Sequence, residues 1–89
     1  MKHAGSDALA KLQSVLVRLR AVPGLKETKP GTFYRRSSAF LHFHEDAAGL
    51  FADVKLDGKR FHRLPVNSAA EQQALLAQVQ RALTAQTED

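Results

Sequence analysis

Residues 32–66 read TFYRRSSAFLHFHEDAAGLFADVKLDGKRFHRLPV, and this stretch decides the fold. Apolar and polar side chains alternate through it with a period of two, and it holds most of the aromatic residues, as is typical of β-strands. Turn residues divide it at Ser37-Ser38, at Asp46–Gly49 and at Asp57-Gly58, of which Asp-Gly favours a two-residue type I′ hairpin. The pattern therefore predicts four strands, over residues 32–36, 39–45, 49–56 and 59–66.

Amphipathic helices are predicted on both sides of these strands. Residues 6–21 carry apolar side chains every three or four positions, with Ser6 as the expected N-cap and Pro23-Gly24 as the stop. Ser68 and Glu71 form a capping box that starts a second helix. Residues 24–31 form a connector between the first helix and the strands, and its first half is suited to an edge strand.

The order of these elements, α-β-β-β-β-α, predicts an α+β fold. We expect a four-stranded antiparallel meander sheet with both helices packed on one face. The 89 residues fit one small domain over 1–89, with fraying at residues 1–5 and 85–89. Cysteine is absent from the sequence, which excludes disulfides and thiolate metal sites. The sequence has neither an apolar run of about 18 residues nor a signal-peptide core, so no membrane association and a cytoplasmic location are expected.

The predicted turns fix which strand residues face one another, and so which side chains share a face of the sheet. With Asp57-Gly58 as the turn, His62 lies opposite Asp53 on the following strand. With Asp46–Gly49 as the loop before it, His42 lies opposite Asp53 on the preceding strand. The face away from the helices is then predicted to carry Phe33, Arg35, Phe40, His42, His44, Phe51, Asp53, Lys55, Arg60, His62 and Leu64. Tyr34, Ala39, Leu41, Phe43, Leu50, Ala52, Val54, Leu56 and Phe61 are predicted to face the core.

The predicted row His42, Asp53 and His62 is a candidate metal or acid–base site, with His44 on the same face. Two imidazoles and a carboxylate can hold Zn²⁺ or Fe²⁺ and leave coordination positions open. Asp53 could instead orient one histidine as a general base. The structural alternative is that Asp53 only bridges two surface histidines. Beyond Zn or Fe at this row, no cofactor is expected.

The same face is also a candidate binding surface. The predicted apolar patch consists of Phe33, Phe40, Phe51 and Leu64, and uncovered patches of this kind mark partner or ligand surfaces. The function we expect is therefore a non-catalytic binding or assembly module acting as a homodimer, with a small ligand possible. A small metal-dependent or acid–base enzyme is the alternative. A third reading is a single-stranded nucleic-acid binder in which phenylalanines stack bases beside Arg35, Lys55 and Arg60.

The overall charge is basic, with 13 Lys and Arg against 9 Asp and Glu and a net charge of +4. These cations are spread along the chain rather than clustered, which favours a solvated basic surface over a dedicated nucleic-acid face. The sequence lacks the glycine-rich nucleotide-binding motifs, the HExxH zinc motif and the GxSxG nucleophile motif.

Several segments together resemble a known family. Pro23-Gly24-Leu25, Phe33-Tyr34-Arg35, the run from Ala39 to Asp46 (AFLHFHED) and the run from Gly49 to Val54 (GLFADV) look like the small bacterial luciferase-like domains, over about half of the chain. The resemblance implies a compact α+β domain and points to His42-x-His44 as the place of any shared function. It implies no light emission and supplies no catalytic roles. A looser likeness is to the YjbR-type small α+β proteins.

Overall fold

The computed structural model describes residues 2–86 and has six strands and three helices in this range. The strands are β1 Lys2–His3, β2 Leu25–Lys29, β3 Thr32–Arg35, β4 Ser38–Asp46, β5 Gly49–Val54 and β6 His62–Pro65. The helices are α1 Ser6–Lys11, α2 Gln13–Arg20 and α3 Ala69–Gln86. The predicted α+β class is confirmed, and the four predicted strands correspond to β3–β6.

All strand pairs in the sheet are antiparallel. The strand order is β2-β3-β4-β5-β6, and β1 pairs separately with β4. The connector supplies β2, so the edge strand that its sequence suits is present. β1 lies in the segment 1–5 for which the sequence predicts fraying; Lys2 pairs with Glu45, and His3 pairs with His44. α3 extends to Gln86, and the predicted fraying of residues 87–89 falls outside the described residues.

The helices begin and end close to the predicted positions, with two differences in the first helix. The first predicted helix is divided at Leu12, which is fully buried and has φ −98° and ψ 7°. The predicted N-cap is also wrong by one residue: Ser6 is the first residue of α1, and Gly5 is the N-cap, without a side-chain hydrogen bond. The capping box of α3 is present: the Glu71 amide donates to Ser68 Oγ at 3.1 Å, and the Ser68 amide donates to Glu71 Oε1 at 3.2 Å.

The hydrophobic core lies between the helices and one face of the sheet. Leu12 and, from α2, Leu16 and Leu19 pack in one cluster with Leu41 and Phe43 of β4. Because side chains alternate along a strand, His42 and His44 point to the opposite face. We call this opposite face, with His42, His44, Phe51, Asp53 and Arg63, the outer face. Among residues 2–86, no helix is both long enough and apolar enough to cross a membrane.

The predicted register between β5 and β6 is wrong by one residue. Val54 pairs with His62 and Asp53 pairs with Arg63, where the two-residue hairpin would have placed Asp53 opposite His62. Asp57 Oδ1 accepts hydrogen bonds from the Lys59 amide at 2.8 Å and the Arg60 amide at 2.9 Å. This local bonding favours an Asx-type turn over the type I′ hairpin, and residues 55–61 form a longer loop. The one-residue shift reverses the face of every β6 side chain.

The predicted register between β3 and β4 is also wrong. Arg35 pairs with Ser38, so the turn is Arg36-Ser37 rather than Ser37-Ser38. The pairing shifts again between Phe33 and Tyr34, which leaves Phe40 as the extra residue of a β-bulge. The bulge allows Phe40 and Leu41, neighbours in sequence, both to be buried in the core.

These two shifts move several side chains to the face opposite the predicted one. Phe33 and Phe40, predicted on the outer face, are core residues, and Leu64 packs against the core. Phe61, predicted in the core, is 40% exposed. Tyr34 and Ala39, also predicted in the core, pair with each other and are half-buried outside the core cluster. The predicted apolar patch therefore loses three of its four members.

Candidate metal centre

His42, His44 and Asp53 meet on the outer face. The two histidines lie two residues apart on β4, and Asp53 on β5 pairs directly with His42, as the sequence predicts. His42 Nδ1 is 2.5 Å from His44 Nε2, and His44 Nε2 is 3.3 Å from Asp53 Oδ2. One donor atom from each residue lies within 4.8 Å of the other two. The three side chains thus bring two nitrogens and one oxygen close together on the outer face.

His42 is suited to the neutral form. Burial lowers the pKa of His42 below its ordinary value, and the neighbouring His44 lowers it further. The short contact between the two rings requires one nitrogen to carry a proton and the other to accept it. Two neutral imidazoles are the state in which histidine binds a metal ion.

Asp53 is a buried carboxylate, 8% exposed, and it is paired with Arg63. Arg63 Nε donates to Asp53 Oδ1 at 2.8 Å, and Arg63 Nη2 donates to Asp53 Oδ2 at 2.9 Å. Hydrogen bonds from Arg63, and secondarily its charge, hold the pKa of Asp53 below its ordinary value. The carboxylate is therefore ionised at neutral pH and keeps lone pairs for a further partner.

One ring nitrogen of His44 has no partner. His44 Nδ1 is buried and makes no hydrogen bond within the described chain. Whichever tautomer is present, one polar atom of this ring is unsatisfied, which costs about 1–3 kcal/mol. Unsatisfied buried groups are rare in folded proteins and, where they occur, they are frequent at functional sites.

His3 joins this group, which the sequence does not predict. Its ring centroid lies 6.3 Å from that of His42 and 5.8 Å from that of His44. His3 Nε2 also contacts Thr32 Oγ1 at 2.9 Å. A two-residue strand has too little periodicity to be recognised, so no signal in the sequence could have placed His3 here.

Phe61 borders the group on the side of the loop 55–61. Its ring centroid lies 4.8 Å from that of His42, at an interplanar angle of 62°. Lys55 Nζ lies 5.2 Å from the centre of the same ring, in the range of a cation–π contact. The aromatic ring shields one side of His42 from water, consistent with the lowered pKa of His42.

His62 is not part of this group, so the predicted row His42, Asp53 and His62 is wrong. The register shift places Arg63 opposite Asp53 and puts His62 beside Val54. His62 Nε2 lies 3.5 Å from Asp57 Oδ2 instead. His44, which the sequence places on the same face as His42, takes the third position.

The other predicted binding residues are dispersed. Phe51 pairs with His44 and is half-buried on the outer face. Arg35 is half-buried on β3, and Arg60 is exposed in the loop 55–61. Phe33, Phe40 and Leu64 belong to the core side, as described above.

Comparison of the chain with protein-family models, with curated proteins and with solved structures finds no match. The resemblance to luciferase-like domains and to YjbR-type proteins stays a prediction from the sequence.

Proposed function

We propose that this chain is a small binding module whose ligand is a divalent transition-metal ion, with Zn²⁺ as the representative case, held by His42, His44 and Asp53. The observation that carries the proposal is that His42, His44 and Asp53 each place one potential ligand atom within 4.8 Å of the other two. Imidazole nitrogen with one carboxylate is a donor set that suits Zn²⁺, Fe²⁺ or Cu²⁺ rather than Mg²⁺ or Ca²⁺. Three protein ligands leave a coordination position open.

The electrostatics of the group support a cation. In the chain alone, a single proton between His42 and His44 satisfies two nitrogens that each have a lone pair to offer. A metal ion would use both lone pairs together with the ionised Asp53. The low pKa of His42 reduces the competition from protons for that nitrogen near neutral pH.

The proposal is tested by calorimetric titration of the untagged chain with Zn²⁺, with Co²⁺ absorption spectra as a second readout. We expect saturable 1:1 binding that weakens at least about tenfold in His42→Ala and in His44→Ala, because a three-ligand site loses one donor. His62→Ala is the matched control, since it removes a histidine outside the group, and its affinity should stay within about twofold of wild type.

Two outcomes would overturn the proposal. One is the absence of saturable Zn²⁺ binding to a chain that circular dichroism shows to be folded. The other is equal weakening by His42→Ala and His62→Ala, which would indicate binding to scattered surface histidines. Binding that depends on His42 and His62 but not on His44 would support the site predicted from the sequence instead.

The other functions predicted from the sequence have less support. Self-association and single-strand binding both relied on an apolar outer face, and Phe33, Phe40 and Leu64 are on the core side. Phe51 is the one member of the predicted patch that stays on the outer face, and the exposed Phe61 is the other large apolar side chain near it. Light scattering at high concentration tests the homodimer, and a short single-stranded oligonucleotide tests the third reading. The cytoplasmic location and a catalytic role for the histidines likewise stay predictions.

A further inference from the structure

A cleft lies between the β3–β4 turn and the loop 55–61, apart from the three proposed metal ligands. Its volume is about 420 Å³, within the range of ligand-sized pockets, and its walls come from two segments distant in sequence. From the turn come Arg36, Ser37 and Ser38, and from the loop come Lys59 and Gly58. A cleft between two loops held by neighbouring strands is a defined concavity rather than a flat surface.

The walls of this cleft are strongly cationic. Arg35, Arg36, Lys55 and Lys59 all line it, and Asp57 is the one carboxylate among its lining residues. Asp57 already accepts hydrogen bonds from two backbone amides of the loop, which hold its pKa far below the ordinary value. Four of the 13 cations of a chain whose basic residues are otherwise dispersed are thus gathered at one place.

The backbone of Arg36 has the conformation that a two-residue hairpin turn requires, and Arg36 also lines the cleft. Its φ is 58°, in the left-handed region, whereas the other residues of 2–86 with positive φ are all glycine. Arginine is disfavoured at such a position, where glycine, asparagine or aspartate is usual. The conformation places an exposed guanidinium at the edge of the cleft.

We propose that this cleft binds the phosphate group of a small phosphorylated molecule. Guanidinium groups match phosphate oxygens in pairs, lysines add point charge, and the hydroxyls of Ser37 and Ser38 add neutral donors. A phosphate group carries more than one negative charge and several oxygens, so it can bind several cationic side chains at once. A ligand with a single carboxylate could not. Cations gathered in one cleft fit a compact anion better than a nucleic-acid backbone, which needs a stripe of charge.

The test is calorimetric titration of the chain with inorganic pyrophosphate in the presence of EDTA, so that bound metal plays no part. We expect saturable binding that the double variant Arg36→Gln/Lys59→Gln weakens at least about tenfold, since each charged contact contributes to affinity. Lys26→Gln/Lys29→Gln is the matched control: it removes the same charge from exposed positions on β2, outside the cleft, and should weaken binding less than about twofold.

Equal weakening by the two double variants would overturn the proposal, because it would show a response to net charge alone. The absence of saturation at low salt would overturn it as well. Tighter binding of a single-stranded oligonucleotide than of pyrophosphate, lost in Arg36→Gln/Lys59→Gln, would assign the cleft to nucleic acid and also overturn it. Because EDTA is present and the metal ligands are unchanged, none of these results depends on the proposed metal centre.

Discussion

Arg63 and a bound metal ion would compete for the same carboxylate. Asp53 is buried, and both of its oxygens accept hydrogen bonds from Arg63, whose side chain is 51% exposed. The guanidinium neutralises Asp53 when metal is absent and repels a second cation when metal is present. Arg63 therefore sets a balance between the stability of the metal-free chain and its metal affinity.

Replacing Arg63 by methionine should make folding more dependent on metal. Arg63→Met leaves a buried carboxylate without its partner, and we expect a loss of about 2–3 kcal/mol in the free energy of unfolding without metal. Zn²⁺ should then raise the Tm of this variant more than that of wild type, because the ion replaces the missing cation. Thermal melting with and without Zn²⁺ measures both effects. Arg60→Met is the control, and an equal Zn²⁺-induced rise of Tm in all three proteins would contradict this prediction.

Arg36 should limit stability through its backbone. Its φ of 58° suits glycine, and a side chain in the left-handed region costs about 1–2 kcal/mol, part of which the extra freedom of glycine in the unfolded chain offsets. We expect Arg36→Gly to stabilise the fold by up to about 1 kcal/mol in urea unfolding. Arg36→Ala removes the same charge and keeps the Cβ atom. A similar gain in both variants would show that charge, not backbone conformation, is responsible.

The strands were predictable from the sequence because the alternation of apolar and polar side chains does not depend on which residues pair. The pairing register depended on two predicted turns, Ser37-Ser38 and Asp57-Gly58. The Asp57 carboxylate accepts hydrogen bonds from two amides of its own loop. These bonds stabilise a longer loop in place of the two-residue hairpin that Asp-Gly favours. The bulge at Phe40 has no turn signal; it follows from burying Phe40 and Leu41 together. Such tertiary gains cannot be read from local propensity.

The sequence predicted the candidate site correctly only between β4 and β5, where it also predicted the hairpin correctly. The β4–β5 loop has the predicted length, so the pair His42 and Asp53 is confirmed. Because the β6 register differs by one residue from the predicted one, Arg63 rather than His62 lies opposite Asp53. Arg63 was not among the site residues predicted from the sequence. His44 was placed on the correct face by its spacing from His42 alone.

The β2 edge is joined to α2 by an ion pair whose contribution should depend on pH. Arg20 Nε donates to Glu27 Oε1 at 2.6 Å, and the Gly31 amide donates to Glu27 Oε2 at 2.9 Å. The Arg20 hydrogen bond is the main cause of a lowered pKa of Glu27. A carboxylate whose pKa is lowered on folding adds stability above its unfolded pKa, and that stability is lost as pH falls through the folded value.

Replacement of Glu27 should therefore have an effect at neutral pH that disappears in acid. We expect Glu27→Gln to lower the free energy of unfolding by about 1 kcal/mol at pH 7. The difference from wild type should begin to shrink below about pH 4.3, where Glu27 of the unfolded chain takes up its proton, and should disappear once the pH falls below the lowered pKa of the folded chain. Urea unfolding across this pH range measures it, and Arg20→Gln should give the same profile. A difference that stays constant with pH would contradict the ion-pair explanation.

In the molecule as a whole, the proposed metal centre is bordered on one side by β1. β1 places His3 beside His42 and His44, and the Ala4 amide donates to the Phe43 carbonyl oxygen at 3.1 Å. A strand of only two residues opens locally at low free energy, independently of global unfolding. A metal ion that contacts or orders the histidine group would raise the free energy of this local opening.

Amide hydrogen exchange should therefore detect Zn²⁺ at the N-terminal strand. We expect the Ala4 amide to exchange at least about fivefold more slowly when Zn²⁺ is bound, because opening β1 would remove His3 from the site. Amides that exchange only by global unfolding, as expected for Val79 within α3, should be slowed by the whole free energy of Zn²⁺ binding. Their slowing is therefore the upper limit for the slowing of the Ala4 amide. In His42→Ala neither amide should respond. If Val79 slows and Ala4 does not, the metal is held without His3 and β1 opens freely over an occupied site.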